Sequence, residues 1–263
     1  MIHQGTGETI VLLHGATSSC NTWKHVVPLL SPSNEVFAFT ALGHRGGNKA
    51  TSSIEISDII DDFERLLDKY NIDKPHITGN SMGGWAAIEL AKRGRAASVC
   101  AISPAGFWNT PQHGQHLALK KLKRLAFIAK ITQPLLPLLA KSSLIRMLAL
   151  KDVAKYGNKL SGCEFTAMVE DMLYCEVKSS LFNTKQSLNF TEPLPCPCTL
   201  VWPECDLLFP PNINAVIAKE RLPDARSLIL KDIGHVPMID DPLLIATTIL
   251  KSIEYGKAFE LNE

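Results

Sequence analysis

The chain has 263 residues, of which 46% are apolar and 20% charged, with a formal charge of +1. That is enough for one large α/β domain or two small ones, and the near-neutral balance excludes a global electrostatic pull toward nucleic acid. No run of about 18 uninterrupted apolar residues is present, the opening MIHQGTGETIVLLHG has neither a basic flank nor a small-residue cleavage site, and the seven cysteines follow no disulfide spacing, so a cytoplasmic location with reduced thiols is expected.

In chain order, short apolar runs at Thr9 to Leu13, Glu35 to Phe39, His76 to Gly79, Ser98 to Ile102, Cys198 to Trp202 and Ser227 to Leu230 read as strands buried on both faces. Helices are predicted over Ile54 to Tyr70, Ser81 to Arg93, Asn212 to Arg221 and Pro242 to Glu254. The first of these places Ile56, Ile59, Ile60, Phe63, Leu66 and Leu67 on one side with acids opposite. Strands alternating with helices imply a parallel sheet with crossover helices. The rhythm breaks between Trp108 and Phe190, where only helical patterns appear. Thr191 to Pro197, with three prolines, reads as an extended connector back into the sheet. The expected organisation is a core of residues 1–107 and 191–263 with a helical insertion at 108–190.

Gly79-Asn80-Ser81-Met82-Gly83 follows a strand and opens a helix, which is the setting of a G-x-S-x-G nucleophile elbow. Glycines are needed there because the turn is tight, so that only the serine projects outward. A serine hydroxyl is a poor nucleophile at neutral pH and requires a base that is itself oriented by an acid. Two groups emerge at later strand ends, Asp206 in Pro203-Glu204-Cys205-Asp206 and His235 in Gly234-His235-Val236. Carboxyl ends of strands are where open α/β sheets bind ligands. Glu204 is the rival acid, whereas Ser103 to Asn109 holds no carboxylate. Donors for a tetrahedral oxyanion are expected from the Met82 amide and from the loop His14-Gly15-Ala16, with Ala16 N–H the best candidate. Each feature taken alone has a plainer reading, as a capping serine, a turn aspartate, a loop histidine or a strand-ending turn. Their joint order and placement favour the catalytic one.

Through LLHGATSS, ALGHRGG, GNSMGG, WPECDLLFP and GHVPMIDDP the chain resembles the α/β-hydrolase family over nearly its whole length. The resemblance implies a mostly parallel sheet flanked by helices, a helical cap at 108–190, the chain order serine, acid, histidine, and no cofactor or metal. The segment after Trp202 is similar to the family's W-G-x-x-D, which favours Asp206 over Glu204 as the acid. Only nine residues precede Ile10, so one of the family's antiparallel edge strands is expected to be missing or reduced. GNSMGG is similar to the elbow of hydrolases that cleave carbon–carbon bonds in ring-fission products and to that of carboxylesterases. Val236 after His235, and Ala16-Thr17-Ser18-Ser19 in place of a longer glycine-rich loop, favour ester-type hydrolysis of a small molecule, whether ester, thioester or lactone. A hydrolase-fold ligand sensor with little turnover is the rival of another class.

From Trp108 to Leu160 ten basic residues stand against the single acid Asp152. A solvated face is the plain reading, and contact of a lysine- and leucine-bearing helix over Leu117 to Ile131 with a lipid surface is the sharper one. Trp23, Trp85, Phe107 and Trp108 are expected in the core, although Trp108 stands at the mouth of the insertion. His44-Arg45 is expected to support its loop. Cys196-Pro197-Cys198 lacks the second pair a zinc site needs.

Overall fold

The structure is a computed structural model that describes residues 1–50, 54–108, 114–190 and 192–260. Residues 109–113 of the expected insertion and Thr191 of the expected connector lie outside the described residues.

Seven strands form one sheet: β1 (Ile2–Gln4), β2 (Glu8–Leu13), β3 (Asn34–Phe39), β4 (His76–Asn80), β5 (Ser98–Ile102), β6 (Cys198–Pro203) and β7 (Arg226–Leu230). Their order across the sheet is β1-β3-β2-β4-β5-β6-β7, with every pairing parallel except β1 on β3. The six predicted strands are all present, most of them longer by a residue, but β7 corrects the expectation of burial on both faces: it lies at the edge of the sheet with alternate residues, Ile229 among them, exposed. β1 went unread because three residues are too few to show an alternation, and its pairing with Val36 to Ala38 holds it. It is the single antiparallel edge strand ahead of the parallel set.

The helices, in chain order, are α1 (Val27–Leu30), α2 (Ile56–Lys69), α3 (Met82–Lys92), α4 (Gly114–Thr132), α5 (Leu136–Leu139), α6 (Ser143–Leu150), α7 (Gly162–Leu173), α8 (Lys178–Leu181), α9 (Pro211–Arg221), α10 (Pro237–Asp240) and α11 (Pro242–Glu260). Between β5 and β6 the described residues hold helices and turns and no strand. α11 runs past the expected Glu254 to Glu260.

Side chains alternate across a strand, so the sheet feeds two cores. Val11 and Leu13 of β2 pack with Ile59 and Phe63 of α2 and with the α3 residues Ala87 and Ile88. Ile10 and Leu12 point the other way, onto Trp23, Val27, Ile245 and Ile249 under α1 and α11. Complete burial of one such aliphatic or aromatic side chain contributes about 1.5–3 kcal/mol. The sheet is therefore a rigid frame whose carboxyl edge presents six loops, after Leu13, Phe39, Asn80, Ile102, Pro203 and Leu230.

Candidate active site

Ser81 N donates to Ile102 O across the sheet edge, and Ser81 adopts φ 56° and ψ −114°, a conformation non-glycine residues rarely take. The flanking glycines are required by contact. A Cβ on Gly79 would lie 2.0 Å from Gly83 O, and one on Gly83 would lie 2.2 Å from Leu13 O. The elbow is thus pressed against its own helix and against β2 at once, which leaves the Ser81 side chain to face the edge.

His235 follows β7, and its Nδ1 donates to Asp206 Oδ2 at 2.8 Å, both side chains being almost wholly buried. Asp206 follows β6 and accepts three further hydrogen bonds, from Ser103 Oγ at 2.7 Å and from the Leu208 and Phe209 amides at 2.8 Å each. The rival Glu204 instead accepts from Asp232 N, away from the imidazole. With Nδ1 committed to the carboxylate, the His235 tautomer leaves Nε2 without a proton. Phe209 packs edge-on against the ring, centroids 5.1 Å apart. The histidine loop is held from both sides: Asn80 Nδ2 donates to His235 O at 2.9 Å, and buried Asp240 accepts from Gly234 N at 2.7 Å.

Ser81, His235, Gly15, Ala16 and Asn80 line one small cavity of about 60 Å³, closed on its other side by Leu122, Leu125, Val153, Met168, Met172 and Leu208. The described contacts include no hydrogen bond between Ser81 and His235, and catalytic pairs commonly tighten only with substrate in place. A larger depression of about 770 Å³ lies at the opposite edge of the sheet, beside Lys74, Glu192, Arg221 and Asp224. It holds neither serine nor histidine, and Ser81 and His235 meet at the small cavity instead.

The loop after β2 has its own brace. His14 Nδ1 donates to Gly15 O at 2.7 Å while its Nε2 accepts from Ala41 N at 3.0 Å. His44 repeats the pattern, donating to Leu42 O and accepting from Thr17 N at 3.1 Å. Burial pushes the His14 imidazole down to about 3 and that of His44 to about 4, so both are neutral at physiological pH and can accept through Nε2. The Thr17 amide is consequently occupied. Ala16 N–H carries no hydrogen bond among the described contacts, and Met82 N–H, first in α3, has no carbonyl one turn back within its helix.

Asp171 of α7 reaches into the same loop, accepting from Ser19 Oγ at 2.6 Å and from Arg45 Nε at 2.7 Å. Arg45 therefore supports structure, as expected, and does so by tying the loop after β3 to α7. Trp108 is 7% exposed, packs on Trp85 and Phe209, and donates from Nε1 to Gln186 O; it belongs to the core and is absent from the cavity wall. Among the described residues no cluster of three or more His, Cys, Asp or Glu is arranged to hold a metal, and no helix is long and apolar enough to cross a membrane.

Residues 10–248 match the model of the Alpha/beta hydrolase family. Epoxide hydrolase EphH of Mycobacterium tuberculosis is 31% identical over 203 residues, covering 74% of this chain and 94% of that protein. Among solved structures, a thermophilic esterase from Thermogutta terrifontis superposes with a TM-score of 0.75 at 18% identity, over 97% of this chain and 92% of that one. The carboxylesterase CesB from Bacillus subtilis gives 0.72 at 16% identity, over 95% and 86%. These likenesses and the architecture agree: the chain belongs to the α/β-hydrolase family, and it is a hydrolase by that membership.

Proposed function

We propose that the protein is a serine hydrolase that cleaves a carboxylic ester, thioester or lactone through an acyl-enzyme. The observation that carries this reading is the 2.8 Å bond from His235 Nδ1 to Asp206, at the floor of the cavity that Ser81 also lines. In the proposed cycle Ser81 Oγ attacks the carbonyl carbon and His235 Nε2 takes the hydroxyl proton. The Ala16 and Met82 amides donate to the oxyanion. The leaving alkoxide or thiolate then takes the proton from Nε2, and water repeats the sequence to release the acid. Asp206 keeps Nδ1 protonated throughout. Residues 108–190 act in this reading as a cap whose apolar side chains Leu122, Leu125, Met168 and Met172 receive the acyl group.

The likeness to an epoxide hydrolase bears on substrate choice through the nucleophile. Opening an epoxide with serine would leave an alkyl ether, which has no carbonyl for water to attack. Acylation of serine leaves an ester that the same histidine can resolve. Ser81 at the elbow accordingly favours acyl substrates, and Val236 beside His235 continues to favour esters over carbon–carbon cleavage.

A panel of p-nitrophenyl esters of graded length, with a lactone and a styrene-oxide-type epoxide beside it, tests the reading. Turnover of short-chain esters is expected, with none of the epoxide, and loss of about 10⁶-fold in kcat on Ser81→Ala. Full ester turnover by a correctly folded Ser81→Ala protein would overturn it.

A further inference from the structure

The helical segment between β5 and β6 sorts its charges by direction. Its acids turn toward the sheet domain: Glu164 meets Lys24 at 2.6 Å, and Glu170 and Asp171 hold Arg45 at 3.3 and 2.7 Å. Its cations divide: Lys155 and Lys159 reach back to Asp232 and to the Asp240 carbonyl, while most of those of α4 to α6 face solvent. Lys120, Arg124, Lys130, Lys141 and Lys151 are exposed and meet no acid among the described residues. Lys121 and Lys123 reach only neutral oxygens, Leu207 O and Asn183 Oδ1, so their charge also stands uncompensated.

Hydrocarbon lies bare between these cations. Leu117, Phe127 and Ile131 of α4 are 61%, 65% and 61% exposed, and Leu135 and Leu138 continue the stripe at 57% and 66%. Their spacing, interleaved with Lys120 and Arg124, keeps to one side of the helix. The opposite side buries Ala118 and Ala129 and sets Leu122 and Leu125 over the catalytic cavity. More than half of the exposed large apolar side chains among the described residues belong to this one segment. Scattered singly they would be ordinary, but aligned and framed by unpaired cations they form a surface with a purpose.

We propose that the outer face of α4 and α5 docks on a lipid bilayer containing anionic phospholipid. Phe127, Ile131, Leu135 and Leu138 enter the boundary between headgroups and acyl chains, while Lys120, Arg124 and Lys130 meet the phosphates. Charge decides the occupant. A two-fold contact with a second copy would set this cationic face against itself, whereas an anionic lipid surface complements it over its whole length. The docking does not rest on the ester reading. Because α4 also roofs the cavity, docking would load the element that must shift to admit a long acyl chain.

Co-sedimentation of the full chain with large unilamellar vesicles tests the proposal, using phosphatidylcholine alone and phosphatidylcholine with one third phosphatidylglycerol. Binding to the anionic vesicles is expected to be at least tenfold tighter than to the neutral ones and to weaken as salt rises. The K120E/R124E/K130E variant should lose roughly a hundredfold in apparent affinity. F127D/I131D should lose binding while its circular dichroism, thermal midpoint and hydrolysis of a short soluble aryl ester stay unchanged. Equal binding to both vesicle types, or binding indifferent to both variants, would overturn the proposal. So would a dimer in sedimentation velocity that F127D/I131D dissolves while vesicles capture nothing, since the face would then be an interface between copies.

Discussion

Ser81 sits at φ 56°, and a serine held there stores strain of order 1–3 kcal/mol. Glycine relieves that strain at the cost of the nucleophile. Ser81→Gly is therefore expected to unfold at higher urea than the parent, by about 1 kcal/mol, while losing hydrolysis; a lower midpoint would show that the elbow is relaxed. Asp206 offers a second residue-scale test. Asp206→Asn keeps the packing but presents an amide to the imidazole, so kcat should fall about 10⁴-fold with KM little changed. His14 and His44 supply the pH dependence. Their folded values of about 3 and about 4 lie below the ordinary 6.5, so between those limits the unfolded chain binds protons that the folded chain refuses. The stability they protect is complete above pH 6.5 and is lost as the pH falls, toward 4 for His44 and toward 3 for His14. In that window each contributes a slope of about 1.4 kcal/mol per pH unit. Urea unfolding of His14→Asn should show a slope shallower by about that amount, and an unchanged slope would mean that His14 is protonated in the fold.

At the scale of elements, burial sets the stakes. Phe63 of α2 is completely buried against the sheet, and Phe63→Ala should cost about 3–5 kcal/mol in denaturant titration. α7 does something different, since Asp171 joins it to Ser19 and Arg45 around the loop after β2. Asp171→Ala is expected to cost about 2 kcal/mol and to lower kcat more than it raises KM, because in the proposed cycle the loop it steadies donates to the oxyanion. What the sequence reveals follows the same divide. Strands buried on both faces announce themselves as unbroken apolar runs, and Ser81 is legible because its flanking glycines are forced by backbone contacts within a few residues. Asp206 and His235 are legible because the strand before each can be read. The supports are hidden. Ser103 bonds Asp206 across 103 positions, Asn80 bonds His235 across 155, and Ser19 bonds Asp171 across 152, and no local pattern encodes such pairings. β1 and the four-residue α1 and α10 are also hidden, being too short for a period to emerge.

For the whole molecule, the division of labour is between a sheet that fixes the polar groups and a helical segment that supplies apolar walls. The cavity between them is small, about 60 Å³, so a short acyl group fits and a long one requires α4 or α7 to yield. Ester preference should accordingly fall with acyl length in solution. Leu125→Ala, or Met172→Ala, should shift the optimum toward longer chains in kcat/KM without altering the pH profile; an unmoved optimum would place the acyl group elsewhere.

The central claim is that Ser81 is a nucleophile armed by His235, and covalent capture addresses it without knowledge of the natural substrate. Incubation with a fluorophosphonate followed by peptide mass spectrometry should place one adduct on Ser81, with labelling slowed by orders of magnitude in His235→Ala and abolished in Ser81→Ala. An adduct on another residue, or Ser81 labelling at the same rate without the imidazole, would contradict the account.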